Sequence, residues 1–190
     1  METKSIMLVG VGGQGTILAS KLLTVGLMES GYDVKMSEIH GMSQRGGAVS
    51  SQVRYGSSVA SPVIEKGGAD IIVAFELMEA LRWFGYLKAG GKVVVNDYRV
   101  NPMPVAMGRC VYPEGIMDEL KAKADVRAFN AMAEAEKLGS AKVMNIILLG
   151  ALIKLMGLDG LDWAKIMKEN VKPAFYELNM QALEKGRALV

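Results

Sequence analysis

Ser5-Ile6-Met7-Leu8-Val9-Gly10-Val11-Gly12-Gly13-Gln14-Gly15-Thr16-Ile17-Leu18 decides the fold. Ser5 to Val9 is a short apolar run stopped by Gly10, the pattern of a strand buried in a parallel sheet. From Thr16 to Ser30 the apolar residues Ile17, Leu18, Leu22, Leu23, Val25 and Leu27 recur at helical spacing, and Gly31 stands where a helix ends. Asp33 to Ser37 reads as a second strand. The unit is β–turn–α–β, which predicts a right-handed crossover and a parallel pair of strands. Between strand and helix, Gly10, Gly12 and Gly15 satisfy G-x-G-x-x-G, with Gly13 and Gln14 inside the turn. Backbone N–H groups at the helix start would attract an anion there. A dinucleotide site also needs an acidic residue at the end of the second strand, and Glu38, the nearest, lies a little late. The same glycines equally suit a tight turn that packs closely, so both readings stand.

Working outward, Ala48 to Tyr55 alternates, with Val49, Ser51, Val53 and Tyr55 on one face and Ala48, Ser50, Gln52 and Arg54 on the other. This predicts a strand with one polar face. Gly56 to Gly68 reads as loop, Asp70 to Phe75 as a buried strand, Glu76 to Phe84 as a short helix and Lys92 to Asn96 as a strand. Asn101 to Pro104 breaks the pattern. Arg109 to Tyr112 and Asp125 to Phe129 read as further strands with a short helix between. From Ala131 onward the segments 131–138, 141–156, 162–169 and 173–189 read as helices. The expectation is one α/β domain over 1–190: three layers, a mostly parallel central sheet with a Rossmann-like first unit, a sheet core over 1–130 and a helical part over 131–190.

The stretch from Glu38 to Arg54 concentrates polar groups between glycines, which points to a ligand or a partner. His40, the only histidine, is either a general base or a group that orders its own loop. With no second histidine or cysteine nearby it is no metal ligand. Arg45, flanked by Gly46 and Gly47, suits a carboxylate or phosphate, or an ion pair across a subunit contact. Gly41, Ser43, Gln44, Ser50, Ser51 and Gln52 supply backbone access and neutral hydrogen bonds for either. Glu76 closes a strand at the end where α/β sheets bind ligands, while Glu79 and Arg82, three apart, suit a surface pair. Asn145 interrupts an apolar helix and, if buried, needs a partner across an interface or in a neighbouring loop.

Composition sets bounds. The 22 basic and 20 acidic residues leave a net charge of +2, which gives no electrostatic case for nucleic acid. Cys110 is alone, so an internal disulfide, an iron–sulfur cluster and a structural zinc are excluded and a reducing cytoplasm fits. Met1-Glu2-Thr3-Lys4 shows no signal-peptide layout. The longest apolar stretch, Val143 to Met156, contains Asn145 and Lys154 and falls short of the ~20 residues of a membrane span. The 14 methionines fit plastic packing surfaces or a compositional bias.

Taken together, five stretches resemble the gamma subunit or domain of the 2-oxoacid:ferredoxin oxidoreductases, called the beta subunit in the two-subunit indolepyruvate enzymes. They are 10–15, 37–54, Lys66 to Asp70, Glu76 to Arg82 and Asn145 to Leu152. The string His40-Gly41-Met42-Ser43-Gln44-Arg45-Gly46-Gly47 is the specific one, and the short chain is most similar to the indolepyruvate type. The resemblance implies decarboxylation of a 2-oxoacid on thiamine diphosphate, electron transfer through iron–sulfur clusters to ferredoxin, and transfer of the acyl group to coenzyme A. This chain lacks the Gly-Asp-Gly…Asn pattern that holds magnesium and thiamine diphosphate, and it lacks cluster cysteines. Those cofactors are expected on a larger partner subunit, making this an auxiliary subunit of a hetero-oligomer. Two roles follow: docking onto that subunit, or binding an anionic group such as the coenzyme A phosphates with 10–15 and Arg45. The alternatives are a free-standing nicotinamide or flavin oxidoreductase and a non-enzymatic adaptor.

Overall fold

A computed structural model describes residues 2–40 and 46–190, the His40 side chain excepted. Six strands form one sheet: β1 (Lys4–Val11), β2 (Asp33–His40), β3 (Ala48–Gly56), β4 (Ala69–Ala74), β5 (Leu87–Asn96) and β6 (Asp125–Phe129). Their order is β2-β3-β1-β4-β5-β6. β1, β4, β5 and β6 run parallel, as the apolar runs predict. The helices are α1 (Thr16–Glu29), α2 (Leu77–Trp83), α3 (Met103–Ala106), α4 (Ile116–Lys123), α5 (Ala131–Lys137), α6 (Met144–Met156), α7 (Trp163–Asn170) and α8 (Tyr176–Ala188).

Alternation along the central strands creates the three layers. Ile6, Leu8, Ile71, Val73 and Val94 face α1 and the C-terminal helices. Met7, Val9, Ile72, Ala74, Val93 and Val95 face the side of α2 and α4. Both faces are covered, so the strands read as continuous apolar runs.

The expected parallel pair of β1 and β2 does not form. β3 lies between them, antiparallel to both, from Lys4↔Tyr55 to Val11↔Ala48 on one side and from Asp33↔Gly56 to His40↔Val49 on the other. β2 is thus an edge strand. β3 can sit in the interior because its polar face is not solvated. Gln52 Oε1 accepts from Ile64 N–H at 2.7 Å, and the Arg54 guanidinium donates to the carbonyls of Ser61 and Val63 at 3.0 and 3.2 Å. The irregular segment 57–68 therefore covers that face and pairs its polar groups. Arg109 to Tyr112 is not a strand either. Its ordering comes from a side chain, the buried Tyr112, rather than from a ladder. Asn101 to Pro104, expected as a break, leads into the single turn α3 behind Pro102.

Candidate functional site

Parallel strands all end at the same edge, and there the glycine turn meets the rest of the molecule. Gln14 closes the turn on itself: its Oε1 accepts from Val11 N–H at 2.7 Å, and its Nε2 donates to the Phe75 carbonyl at 2.9 Å. A Cβ at Gly10 would lie 2.8 Å from both Gln14 Oε1 and Phe75 Cβ. Gly15 starts α1 at φ 80°, and a Cβ there would lie 2.6 Å from Asn145 Nδ2. Close packing thus accounts for Gly10 and Gly15. Gly13, at φ 102°, has nothing within 4 Å of its Cβ position. It is open, and lines a pocket.

That pocket, of 420 Å³, is bounded by Gly13, Gln14 and Gly15, by Tyr98 and Val100 beyond β5, and by Met132, Ala141, Lys142 and Met144. Gly15 has no side chain to cap α1, so first-turn N–H groups remain available beside it. Lys142 is the one charged residue of the lining. Asn145, 3% exposed, donates its Nδ2 to the Gly15 carbonyl at 3.1 Å, while its buried Oδ1 has no partner.

Gly12 N–H donates to the Gly47 carbonyl at 2.9 Å, and Gly46 N–H to the Gly12 carbonyl at 3.4 Å. The start of β3 is therefore tied to the glycine turn. His40 ends β2 opposite Val49, the residue that also faces Gly10. Two strand spacings, about 10 Å, separate the two backbones. Gly41, Ser43, Gln44 and Arg45 lie outside the described residues. Ser51 is not brought to this edge. It is buried within the sheet opposite Leu8 and Glu38.

Glu76 is fully buried at the end of β4. Its Oε2 accepts from Glu79 N–H at 3.0 Å and caps α2, while its Oε1 accepts from Val100 N–H at 3.1 Å and from the Tyr112 hydroxyl. It fastens the segment 97–112 over the strand ends. Burial pushes the Tyr112 phenol up, and the Glu76 bond adds to the effect. The expected surface pair of Glu79 and Arg82 is half right: Arg82 Nε reaches Glu79 Oε1 at 2.9 Å, but Glu79 is buried. Burial raises its carboxyl pKa, against the pull of Arg82.

Sequence reading missed Asn96. Fully buried, it donates Nδ2 to the same Phe75 carbonyl at 3.0 Å and accepts Ala131 N–H at 2.8 Å, setting the start of α5. The signal was present: a lone amide closing the apolar run Val93 to Val95.

Among the described residues no three His, Cys, Asp or Glu side chains gather to hold a metal. Glu38, the candidate ribose ligand, takes a hydrogen bond from Ser20 Oγ at 3.0 Å and sits two strands from β1. The arrangement departs from a dinucleotide site, where the second strand adjoins the first.

The fold is an α/β protein with a glycine turn at the carboxyl edge of its parallel strands, tied by backbone bonds to Gly46 and Gly47. The chain belongs to the pyruvate ferredoxin/flavodoxin oxidoreductase family, which matches residues 5–189. It is 37% identical to indolepyruvate oxidoreductase subunit IorB of Thermococcus kodakarensis, over 98% of this chain and 95% of that protein. It is also 37% identical to the protein of the same name from Archaeoglobus fulgidus, over 96% and 92%. A solved structure, the gamma subunit of keto/oxoacid ferredoxin oxidoreductase from Geobacter sulfurreducens, superposes with a TM-score of 0.72 at 26% identity, over 98% of this chain and 97% of that one.

Proposed function

We propose that this chain is the auxiliary subunit of an indolepyruvate-type 2-oxoacid:ferredoxin oxidoreductase and that it works as one unit over its 190 residues. The family membership gives the reaction class. The two indolepyruvate oxidoreductase subunits that match nearly end to end support the aryl 2-oxoacid as substrate. Thiamine diphosphate, magnesium and the iron–sulfur clusters belong to a larger partner chain, ferredoxin meets the assembled complex, and coenzyme A takes the acyl group. No described helix is long and apolar enough to cross a membrane, and the cytoplasm is its proposed location.

The edge formed by the glycine turn, His40 and Gly46-Gly47 docks onto the thiamine-carrying subunit, with Ser43, Gln44 and Arg45 completing the contact. The observation that carries this reading is the pair of backbone bonds from Gly12 to Gly46 and Gly47. They tie Gly46 and Gly47, the last two residues of the specific string, to the glycine turn. A second reading is supported by Lys142 in the 420 Å³ pocket, beside the start of α1 that no side chain caps. A lysine beside open N–H groups attracts an anion. The phosphates of coenzyme A are the ligand that fits this reaction.

Arg45→Ala, co-expressed with the larger subunit, tests both readings. Loss of co-purification supports docking. An intact complex with a raised KM for coenzyme A and unchanged KM for the 2-oxoacid supports the anion site. A variant that assembles and saturates like the wild type overturns both assignments of Arg45.

A further inference from the structure

A second pocket, of 300 Å³, opens on the other side of Lys142. It lies between Leu18 of α1, the turn ahead of α6, and the segment that joins α7 to α8. Leu18, Val143, Val171, Phe175 and Leu178 give it apolar walls. Phe175 is half exposed, an uncommon state for a phenylalanine fixed in a tight turn. The fixing is visible: Asn179, buried, donates Nδ2 to the Phe175 carbonyl at 2.7 Å. Lys142 and Lys172 are among the residues that line this pocket, both are exposed, and neither has a carboxylate partner among the described residues. Among the other described cations of the helical third, Lys137, Lys165, Lys185 and Arg187 are ion-paired and Lys154 and Lys168 are not. Apolar walls with two lysines in the lining suit an apolar body that carries a negative charge.

We propose that this pocket binds a small amphipathic carboxylate, with an aryl or short alkyl body against Leu18, Val143, Val171, Phe175 and Leu178 and the carboxylate between Lys142 and Lys172. Removal of the body from water supplies affinity in proportion to its apolar area, and the ammonium groups supply orientation through charge-assisted hydrogen bonds. The volume sits at the small end of the roughly 300–1,000 Å³ range of ligand pockets, which limits the body to a ring or a short chain. Such a ligand bridges α1, the turn ahead of α6 and the α7–α8 segment. The site shares Lys142 with the pocket beside the glycine turn and has no other lining residue in common with it.

The test is a titration of the full chain, methyl-labelled for NMR, with phenylacetate and with its neutral shape analogue 2-phenylethanol. The expected result is saturable shifts confined to methyls of Leu18, Val143, Val171 and Leu178, with phenylacetate bound about tenfold more tightly than the alcohol. Lys172→Gln, an exposed position, should remove most of that preference while leaving the alcohol's affinity unchanged. Absence of shifts at those methyls, equal binding of acid and alcohol, or a Lys172→Gln chain that keeps the preference would each overturn the proposal. No turnover and no partner enters the measurement, so its failure leaves the assignment to the oxidoreductase complex intact.

Discussion

Gly13 and Gly15 of the turn differ in what they forbid. At Gly15 a side chain meets both a positive φ and the Asn145 amide at 2.6 Å. Gly15→Ala should therefore cost about 3 kcal/mol or more, as backbone strain and overpacking combine. At Gly13 the positive φ is the only obstacle, so Gly13→Ala should cost about 1–2 kcal/mol. Urea midpoints of the two variants give the comparison, and equal losses would contradict the assignment of Gly15 to close packing. Tyr112 makes a similar test of the fastened 97–112 segment. Its hydroxyl donates to Glu76 and accepts from Met78 N–H at 2.9 Å, so Tyr112→Phe takes one partner from the buried Glu76 carboxylate and one from the partly buried Met78 N–H. A loss of about 1–3 kcal/mol is expected, accompanied by faster proteolysis between Asp97 and Glu114. An unchanged digestion pattern would show that the Tyr112–Glu76 bond does not hold that segment.

Between elements, one carboxylate joins three strands. Asp70 of β4 accepts Ser5 N–H of β1 at 2.8 Å and pairs with Lys4 and with Lys88 of β5. Burial alone would raise its pKa, but Lys88, the Ser5 N–H and Lys4 hold it below the ordinary carboxylate value. A depressed folded-state pKa contributes stability above the unfolded value of about 4, lost as pH falls through the folded value. Asp70→Asn should lower stability at pH 7 by about 1–2 kcal/mol, discounted for the exposed lysines. It should also flatten the decline below pH 4, as denaturant melts at a series of pH values would record. The helical third rests on a closer contact. A Cβ at Gly186 of α8 would lie 1.9 Å from the Ile147 carbonyl oxygen, and one at Gly150 of α6 would lie 2.1 Å from that of Leu183. The backbones of α6 and α8 touch because both residues are glycine. This was invisible in the sequence, where Gly150 and Gly186 read as ordinary helix interior. Helical spacing reveals a buried face but not which glycine a neighbouring backbone approaches. By contrast the central strand runs and the helix end at Gly31 are legible, because each is set by residues within a few positions.

At the scale of the molecule, what escaped the sequence is strand order. β3 inserts between β1 and β2, and nothing local to Asp33–His40 or Ala48–Gly56 distinguishes that arrangement from the expected parallel pair. The polar face of β3 finds its partners in 57–68, an irregular segment whose contacts no periodicity reports. The insertion has a functional consequence. It moves Glu38 two strands away from the glycine turn and leaves Ser20 as its hydrogen-bond donor, so the turn lacks the acidic group that would hold a ribose. The isolated chain should therefore show no thermal shift with NADH or FAD. A dinucleotide present at a hundred times its Kd would add about 2.7 kcal/mol to the folded state, a shift of several degrees for a chain of this size. Absence of that shift is expected. A rise of several degrees with either compound would mean that the turn binds a dinucleotide without a neighbouring second strand, and would restore the free-standing oxidoreductase over the auxiliary subunit.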